Sequence, residues 1–497
     1  MHLRQAMLSS TLQQNATLLL SFGTGVVIAH LLTPREAGSY SVALASVNLF
    51  AALKDTAVGS YVISAPEVDS GLLRIAFGLS LTIAGGLTVA LVALSFSVAG
   101  FYHDPNLGES LRIVALAQFG PALAFPVTIR LTRALRFDAL LAIGVAAAAA
   151  QSLVSITLTA LGYGAAGLAW GYFASAAATA IITIIYKPEA LHLRPTLIGS
   201  RRLLAFGGWM SSTLMVGSAS MSAPELMIGR VLGLSDAALF SRAQNLVSVI
   251  RNSLLGGITR PLLPSLGERE SKGDSLGPLY LRVIETVTGL AWPAYAVLAI
   301  WATPIVTTIY GKSWSAAGTM MTPIAIAHAL TLTVTPHYDI LIVKRRQRLL
   351  FLCEAAVFVV TIVALAVGLI LERTGAIWSL VLSSAFFAAC YFAAIKSVIG
   401  FEPTALAKTW LRSLGLTLAA VPAPLAFRYA VDDSPGEIMF GFAASSAISA
   451  GLWVAAVMFL GHELSPHINA VLKTVSAHWR LRLFAGAGLE PRETDQA

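Results

Sequence analysis

Three basic side chains sit within apolar runs of this chain: Lys54, Arg242 and Arg251. Four acids, Asp55, Glu225, Asp339 and Glu354, and one histidine, His328, share that setting. An ionised group at mid-bilayer costs about 2.5–3.5 kcal/mol even on a lenient scale, so each of them requires an explanation. Lys54–Asp55 and Arg251–Asn252 lie in two runs about two hundred positions apart. Subtracting that offset sets Arg251 one helical turn from Lys54, so the two cations share a depth on equivalent helices. Together they can bind a diphosphate from opposite walls, the arginine chelating two oxygens and the lysine acting as a point charge. Arg242, nearer the other end of its run, offers a later contact for the same anion. The plainer alternative pairs Lys54 with Asp55 and lets both bases reach back to the membrane surface.

Weaker polar groups fall on faces. At 100° per residue, Gln13, Thr17, Ser21 and Thr24 lie within about 80° of one another. Ser211, Ser218, Ser222 and Glu225 make a like stripe on the equivalent helix, and close helix packing is the competing reason for the hydroxyls. Asp55, Glu225, His328, Asp339 and Glu354 are candidates for H+ or Na+ coupling, because half-buried carboxylates and imidazoles titrate in a useful range. Gln118 is the repeat partner of His328. The sequence points to no other cofactor and to no metal site.

The offset used above comes from an internal repeat. Ile28–Ala43 reads IAHLLTPREAGSYSVA and Ile228–Ala243 reads IGRVLGLSDAALFSRA. Each is an apolar run, a short turn with one acid, and a second apolar run: the end of a helical hairpin, made twice. SSTL recurs at Ser9–Leu12 and Ser211–Leu214, and Arg74 and Tyr102 fall beside Arg282 and Tyr310. Several matches in one order imply two like-oriented halves, a common plan for membrane transporters.

Composition sets the class. Of 497 residues 56% are hydrophobic and only 12% charged, against roughly a quarter charged in a soluble domain. The apolar runs are about 20 residues long, enough to cross about 30 Å of hydrocarbon. The chain reads as all-α and polytopic, with fourteen spans near 11–32, 40–62, 74–100, 110–129, 139–161, 164–186, 204–231, 236–259, 281–309, 316–343, 349–371, 375–396, 411–430 and 438–460. Gly85–Gly86 and Gly256–Gly257, with Pro121, Pro126, Pro224, Pro293, Pro304, Pro323, Pro336, Pro422 and Pro424, are expected to interrupt or bend spans. The net charge of +8 needs no nucleic-acid partner. Of the 33 Lys and Arg, 24 fall in connections on one side, from Arg4 to Arg492, and six on the other. The positive-inside bias then places both termini in the cytoplasm. Cys353 and Cys390 read as small core residues.

The divisions follow: a six-helix bundle over 1–186, a cytoplasmic linker over 187–203, a second bundle over 204–396, an added helix pair over 397–461, and a tail over 462–497. Residues Pro466–Phe484 can form a basic amphipathic helix on the inner leaflet.

Three stretches carry a family resemblance: LLTPREAGSYSVALASVNLFAALKDTAVGSYVISAPEVD (Leu31–Asp69), LFSRAQNLVSVIRNSLLGGITRPLLPSLGE (Leu239–Glu268) and GKSWSAAGTMMTPIAIAHAL (Gly311–Leu330). They resemble polysaccharide transporters of the multidrug/oligosaccharidyl-lipid/polysaccharide exporter superfamily, over most of residues 1–400. The resemblance implies a flippase moving undecaprenyl-pyrophosphate-linked oligosaccharide units across a bacterial inner membrane for exopolysaccharide, O-antigen or capsule synthesis. It also implies two pseudo-twofold-related six-helix bundles around a cavity that opens alternately to either side, an accessory pair of C-terminal helices, and work beside a polysaccharide polymerase or export complex. The substrate-contacting set would be Lys54, Arg251, Asn252, Arg242, Gln13, Thr17, Ser218, Ser222 and Gln118.

Two transport alternatives stand beside this one, an ion-coupled small-molecule efflux antiporter and a lipid II flippase. A drug antiporter wants an acidic cavity, and the candidate charges here are mixed. A membrane enzyme acting on the same lipid-linked sugars would need a sizeable outer loop bearing carboxylates, and no outward connection exceeds about a dozen residues. His462-Glu463 with His467 misses the HExxH spacing, and the chain has no P-loop or GxGxxG. Transport without covalent chemistry is the better reading.

Overall fold

The computed structural model describes residues 2–55, 62, 69–134, 136–186, 194–259, 262–466 and 468–470; for 2–15, 51–55, 137, 201–211 and 254–259 it describes the backbone alone. Every regular element among the described residues is helical. The first half runs α1 (His2–Leu31), α2 (Pro34–Asp55), α3 (Ser70–Tyr102), α4 (Pro105–Leu116), α5 (Phe119–Arg133), α6 (Phe137–Ala160) and α7 (Gly164–Tyr186). The second runs α8 (Ser200–Val231), α9 (Leu234–Thr259), α10 (Leu262–Ser271), α11 (Gly277–Tyr310), a 3-10 turn (Lys312–Trp314), α12 (Ser315–Leu332), α13 (His337–Val343), α14 (Gln347–Ile370) and α15 (Glu372–Ile399). The chain continues through α16 (Pro403–Ala420), α17 (Pro422–Ala430) and α18 (Pro435–Phe459).

Fourteen spans result when α4–α5, α12–α13 and α16–α17 are each taken as one broken crossing, as the sequence predicts. Ten of these crossings are long and apolar enough to pass a bilayer within the described residues. The other four are α1, α2, α8 and α9, at 30, 22, 32 and 26 residues. At 1.5 Å per residue each of those is also long enough. The apolar side chains on the outside fit a lipid surround: Val359, Val363 and Val367 stand at every fourth position on one face of α14 and are exposed. Such a stripe would be an aggregation hazard in water and is the normal surface in hydrocarbon. The chain is a multi-pass membrane protein.

Prolines break fewer spans than the sequence suggests. Pro336 separates α12 from α13 and Pro422 opens α17, but Pro126, Pro224, Pro293, Pro304 and Pro323 lie inside continuous helices. The break expected beside Glu225 is therefore absent. Membrane helices tolerate proline because neighbouring groups re-satisfy the freed carbonyl.

The repeat is visible in the packing. Within the first half α1 lies on α6, α6 on α7, and α2 on α4 and α7; within the second α8 lies on α14, α14 on α15, and α9 on α12. Between halves the equivalent helices α2 and α9 lie on each other, and α2 also lies on α8. They approach tightly at Gly38, where a Cβ would stand 1.9 Å from the Leu234 carbonyl oxygen. The last three helices lean on α11. There Arg412 of α16 donates to Glu285 at 3.3 Å, and the Glu463 backbone N–H donates to the same oxygen at 3.3 Å.

Candidate functional site

A cavity of about 490 Å³ opens among α8, α9, α12, α13, α14 and α15. Its described lining comes from the second half, and four of the sequence candidates meet there. Arg251 and Gln244 reach it from α9, two turns apart on one face. His328 comes from α12, Ser218 from α8 and Glu354 from α14.

The wall is held by hydrogen bonds as well as packing. Gln244 Nε2 and His328 Nε2 are 3.2 Å apart, and Tyr391 of α15 donates its hydroxyl to Glu354 Oε1 at 2.6 Å. That bond leaves Glu354 Oε2 on the side of Gly217, whose missing Cβ would stand 3.7 Å away. Beneath them His337, Phe387 and Tyr391 form an aromatic cluster, with ring centres 4.2 to 5.0 Å apart. One lining residue, Ser220, has its Oγ buried without a hydrogen-bond partner. Buried polar groups in native proteins are nearly always paired, so an orphan in the wall of a cavity is consistent with room for a polar ligand. Arg251 is in none of the ion pairs among the described residues.

The remaining candidates lie elsewhere. Gln118 is buried between α4 and α5 in the first half, and its amide reaches the Val114 carbonyl at 3.5 Å. Ser222 is buried and Asp339 half-buried, both outside the cavity lining, and Asn252 is exposed. Thr17 is half-buried. Thr24 of the first-half stripe donates to Ser152 of α6, within its own half. Lys54, Asp55 and Gln13 fall on helices α2 and α1, and their side chains lie outside those described. Gln244 is the member that sequence reasoning missed; its spacing of seven from Arg251 was the available signal. Tyr391 gave none, being one aromatic in an apolar helix.

At the end of the bundle holding the 31–34 and 231–234 turns, the halves are joined. Trp314 Nε1 donates to the Ala29 carbonyl at 3.0 Å, and Tyr102 donates to the Leu226 carbonyl at 2.8 Å. His30 Nε2 stands 3.0 Å from the Ile309 carbonyl. Arg242 is here and not in the cavity: its guanidinium carbon lies 5.4 Å from the ring centres of both Tyr310 and Trp314. Glu225 is here too. Ser41 of α2 and Ser241 of α9 present their hydroxyls to its carboxylate, and Oε1 is shut off from solvent without a partner.

A charged, hydroxyl-rich pocket inside a duplicated helical bundle, sealed at one end, suits a transporter. The family described as polysaccharide biosynthesis protein matches residues 27–319, more than half of the chain. The chain belongs to that family. It is 23% identical over 328 residues to the succinoglycan biosynthesis transport protein ExoT of Rhizobium meliloti (strain 1021), a match covering 65% of each chain and so just under two thirds of that relative's length. It is 21% identical over 368 residues to the lipopolysaccharide biosynthesis protein WzxC of Escherichia coli (strain K12), covering 71% of this chain and 73% of the relative. Among solved structures, the fold matches the lipid II flippase MurJ in its inward closed conformation, with a TM-score of 0.67 and 12% identity over 90% of this chain and 98% of that one. A multidrug resistance MATE family transporter of the MOP superfamily, facing inward, gives 0.61 and 15% identity over 79% and 96%. These likenesses show the fold, and they bear out the resemblance read from the three sequence stretches.

Proposed function

We propose that this protein is a flippase carrying lipid-linked oligosaccharide across a bacterial inner membrane, with both termini in the cytoplasm. The observation that carries the reading is Arg251, a cation without an ion pair among the described residues, on the wall of a hydroxyl-rich cavity inside the bundle. A diphosphate headgroup is the natural partner for such an arginine, and Lys54 at matching depth on the equivalent helix supplies the second charge. The prenyl chain stays in lipid while the head enters between the halves. With the turn end closed by Trp314, Tyr102 and Arg242, the head comes from the opposite, cytoplasmic side. Rocking of the halves then releases it outward, driven by H+ or Na+ at one of the buried acids. The relatives ExoT and WzxC, a succinoglycan biosynthesis transport protein and a lipopolysaccharide biosynthesis protein, support the substrate class, and work beside a polysaccharide polymerase is part of the same proposal. The efflux and lipid II readings rest on fold alone.

The test is complementation of a strain lacking this gene. Lys54→Ala and Arg251→Ala are each expected to cut surface polysaccharide about tenfold or more at normal protein levels, because each removes a charge-assisted phosphate contact. Full export by both would remove the clamp.

A further inference from the structure

The cavity carries more polar equipment than a diphosphate uses. An anion needs donors and positive charge, yet the wall also holds the Glu354 carboxylate, fixed through Oε1 by Tyr391 with Oε2 on the side of Gly217, itself a lining residue. A carboxylate and an arginine lining one cavity disfavour a ligand of a single sign throughout, whether a cationic drug or an inorganic anion. The other polar groups are amide, imidazole and hydroxyl, each able to donate or accept. Gln244 and His328 form one such edge at 3.2 Å. Ser220 Oγ adds a hydroxyl that is buried with its bonds unmade. The His337–Phe387–Tyr391 cluster gives the same wall a flat apolar floor. A neutral ring with hydroxyls around its edge and C–H groups on its face matches that combination, and a volume of about 490 Å³ lies in the range of small-molecule sites.

We propose that this pocket seats a pyranose ring of the translocated head, with Glu354 Oε2 accepting from its hydroxyls and the Gln244–His328 pair bonding its opposite edge. The second half then reads the sugar, while the diphosphate is held at the Arg251 end of the same cavity. Sugar preference becomes a property of one half of a duplicated protein. This proposal rests on the flippase reading and adds the residues that set its specificity.

The experiment measures binding of two lipids to the purified full-length protein in detergent by microscale thermophoresis: undecaprenyl diphosphate, and undecaprenyl diphosphate bearing one hexose. Glucosyl and galactosyl forms are both used. The wild type is expected to bind at least one hexosyl lipid about tenfold or more tighter than the bare lipid, since a site built to bond hydroxyls rejects the analogue lacking them. Glu354→Gln keeps the bond to Tyr391 and removes the charged acceptor. Gly217→Val leaves Glu354 untouched and fills the space before Oε2. Each is expected to lower the preference to about threefold or less while leaving bare-lipid affinity within about twofold. Equal affinities in the wild type, or an intact preference in both variants, overturn the proposal. Stabilisation by Na+ that Glu354→Gln abolishes, with sugar preference unchanged, also overturns it and makes the pocket a cation site. Binding of neither lipid overturns the flippase reading itself, so the two failures are distinguishable.

Discussion

Ser41 and Ser241, the same residue two hundred positions apart in the two copies of the repeat, face one carboxylate, that of Glu225. The duplication is therefore a contact as well as a pattern. The equivalent helices α2 and α9 lie against each other, and Glu225 of α8 is shared between a serine of each half. Oε1 of that acid is buried and unpartnered, so the cluster is polar, closed and sensitive to the loss of any member.

The serines can be separated from the acid by substitution. Glu225→Leu strands two half-buried hydroxyls, each at up to about 1–3 kcal/mol, whereas removing all partners together is close to neutral. The single variant is expected to melt several degrees below wild type, and Glu225→Leu with Ser41→Ala and Ser241→Ala to recover most of the loss. Thermal unfolding in detergent decides it: a triple variant no better than the single one breaks the relationship.

Gly38 is a tight point of the seam. A Cβ there would stand 1.9 Å from the Leu234 carbonyl oxygen, and backbone cannot move aside as a side-chain tip can. Gly38→Val is expected to hold the turn end apart. A cysteine placed at Leu234, which is buried in the closed structure, should then react with a membrane-impermeant maleimide, and should stay unreactive when Gly38 is present. Equal labelling in the two backgrounds would show that the seam tolerates the side chain.

Much of this was legible in the sequence because its causes are local. Runs of about twenty apolar residues announce the crossings, ten of which are long and apolar enough among the described residues, and the repeated hairpin motif announces that α2 and α9 are equivalent. Arg251, His328, Glu354 and Ser218 meet in one cavity, and each stood out as a polar residue in an apolar run. What the sequence left open depends on helix rotation. Arg242 and Arg251 are nine residues apart on α9, yet one stacks on rings at the seam and the other lines the cavity. Nothing in residue type distinguishes them. Pro224 misled for a related reason: α8 runs through it, because surrounding helices satisfy what proline leaves unmade. Tyr391 matters only for its bond to Glu354, a pairing across thirty-seven positions that no local pattern announces.

Arg242 is expected to act as a seal. Its guanidinium lies over Tyr310 and Trp314, and a Cβ at Gly25 of the first half would stand 2.8 Å from its NH1 nitrogen. Arg242→Gln loses both ring contacts, at about 0.5–2 kcal/mol each, and should lower the melting temperature. Gly25→Val should be harmful only while the arginine is present, since contacting residues couple. Melting temperatures of the two single variants and the double variant test this; strictly additive losses would place Arg242 outside the slot at Gly25.

The segment after α18 is expected to undock in acid. His462 is buried, its Nε2 3.9 Å from Glu285 Oε1, and a Cβ at Gly289 would stand 2.5 Å from its ring. Burial pushes the imidazole below its ordinary value, with Glu285 of α11 opposing and Arg412 of α16 assisting. Glu463 next to it pairs with Arg282 of α11 at 2.7 Å. A histidine whose docked pKa lies below its free value binds more protons when released, so docking is strongest above about pH 6.5 and weakens as pH falls below it. Protection from hydrogen exchange at residues 460–465, taken relative to the intrinsic rate at each pH, should therefore be high at neutral pH and fall towards pH 5.5. His462→Gln, which stays neutral throughout, should flatten that protection profile. A wild-type profile already as flat as the variant's would mean that Glu285 keeps the ring docked in both protonation states.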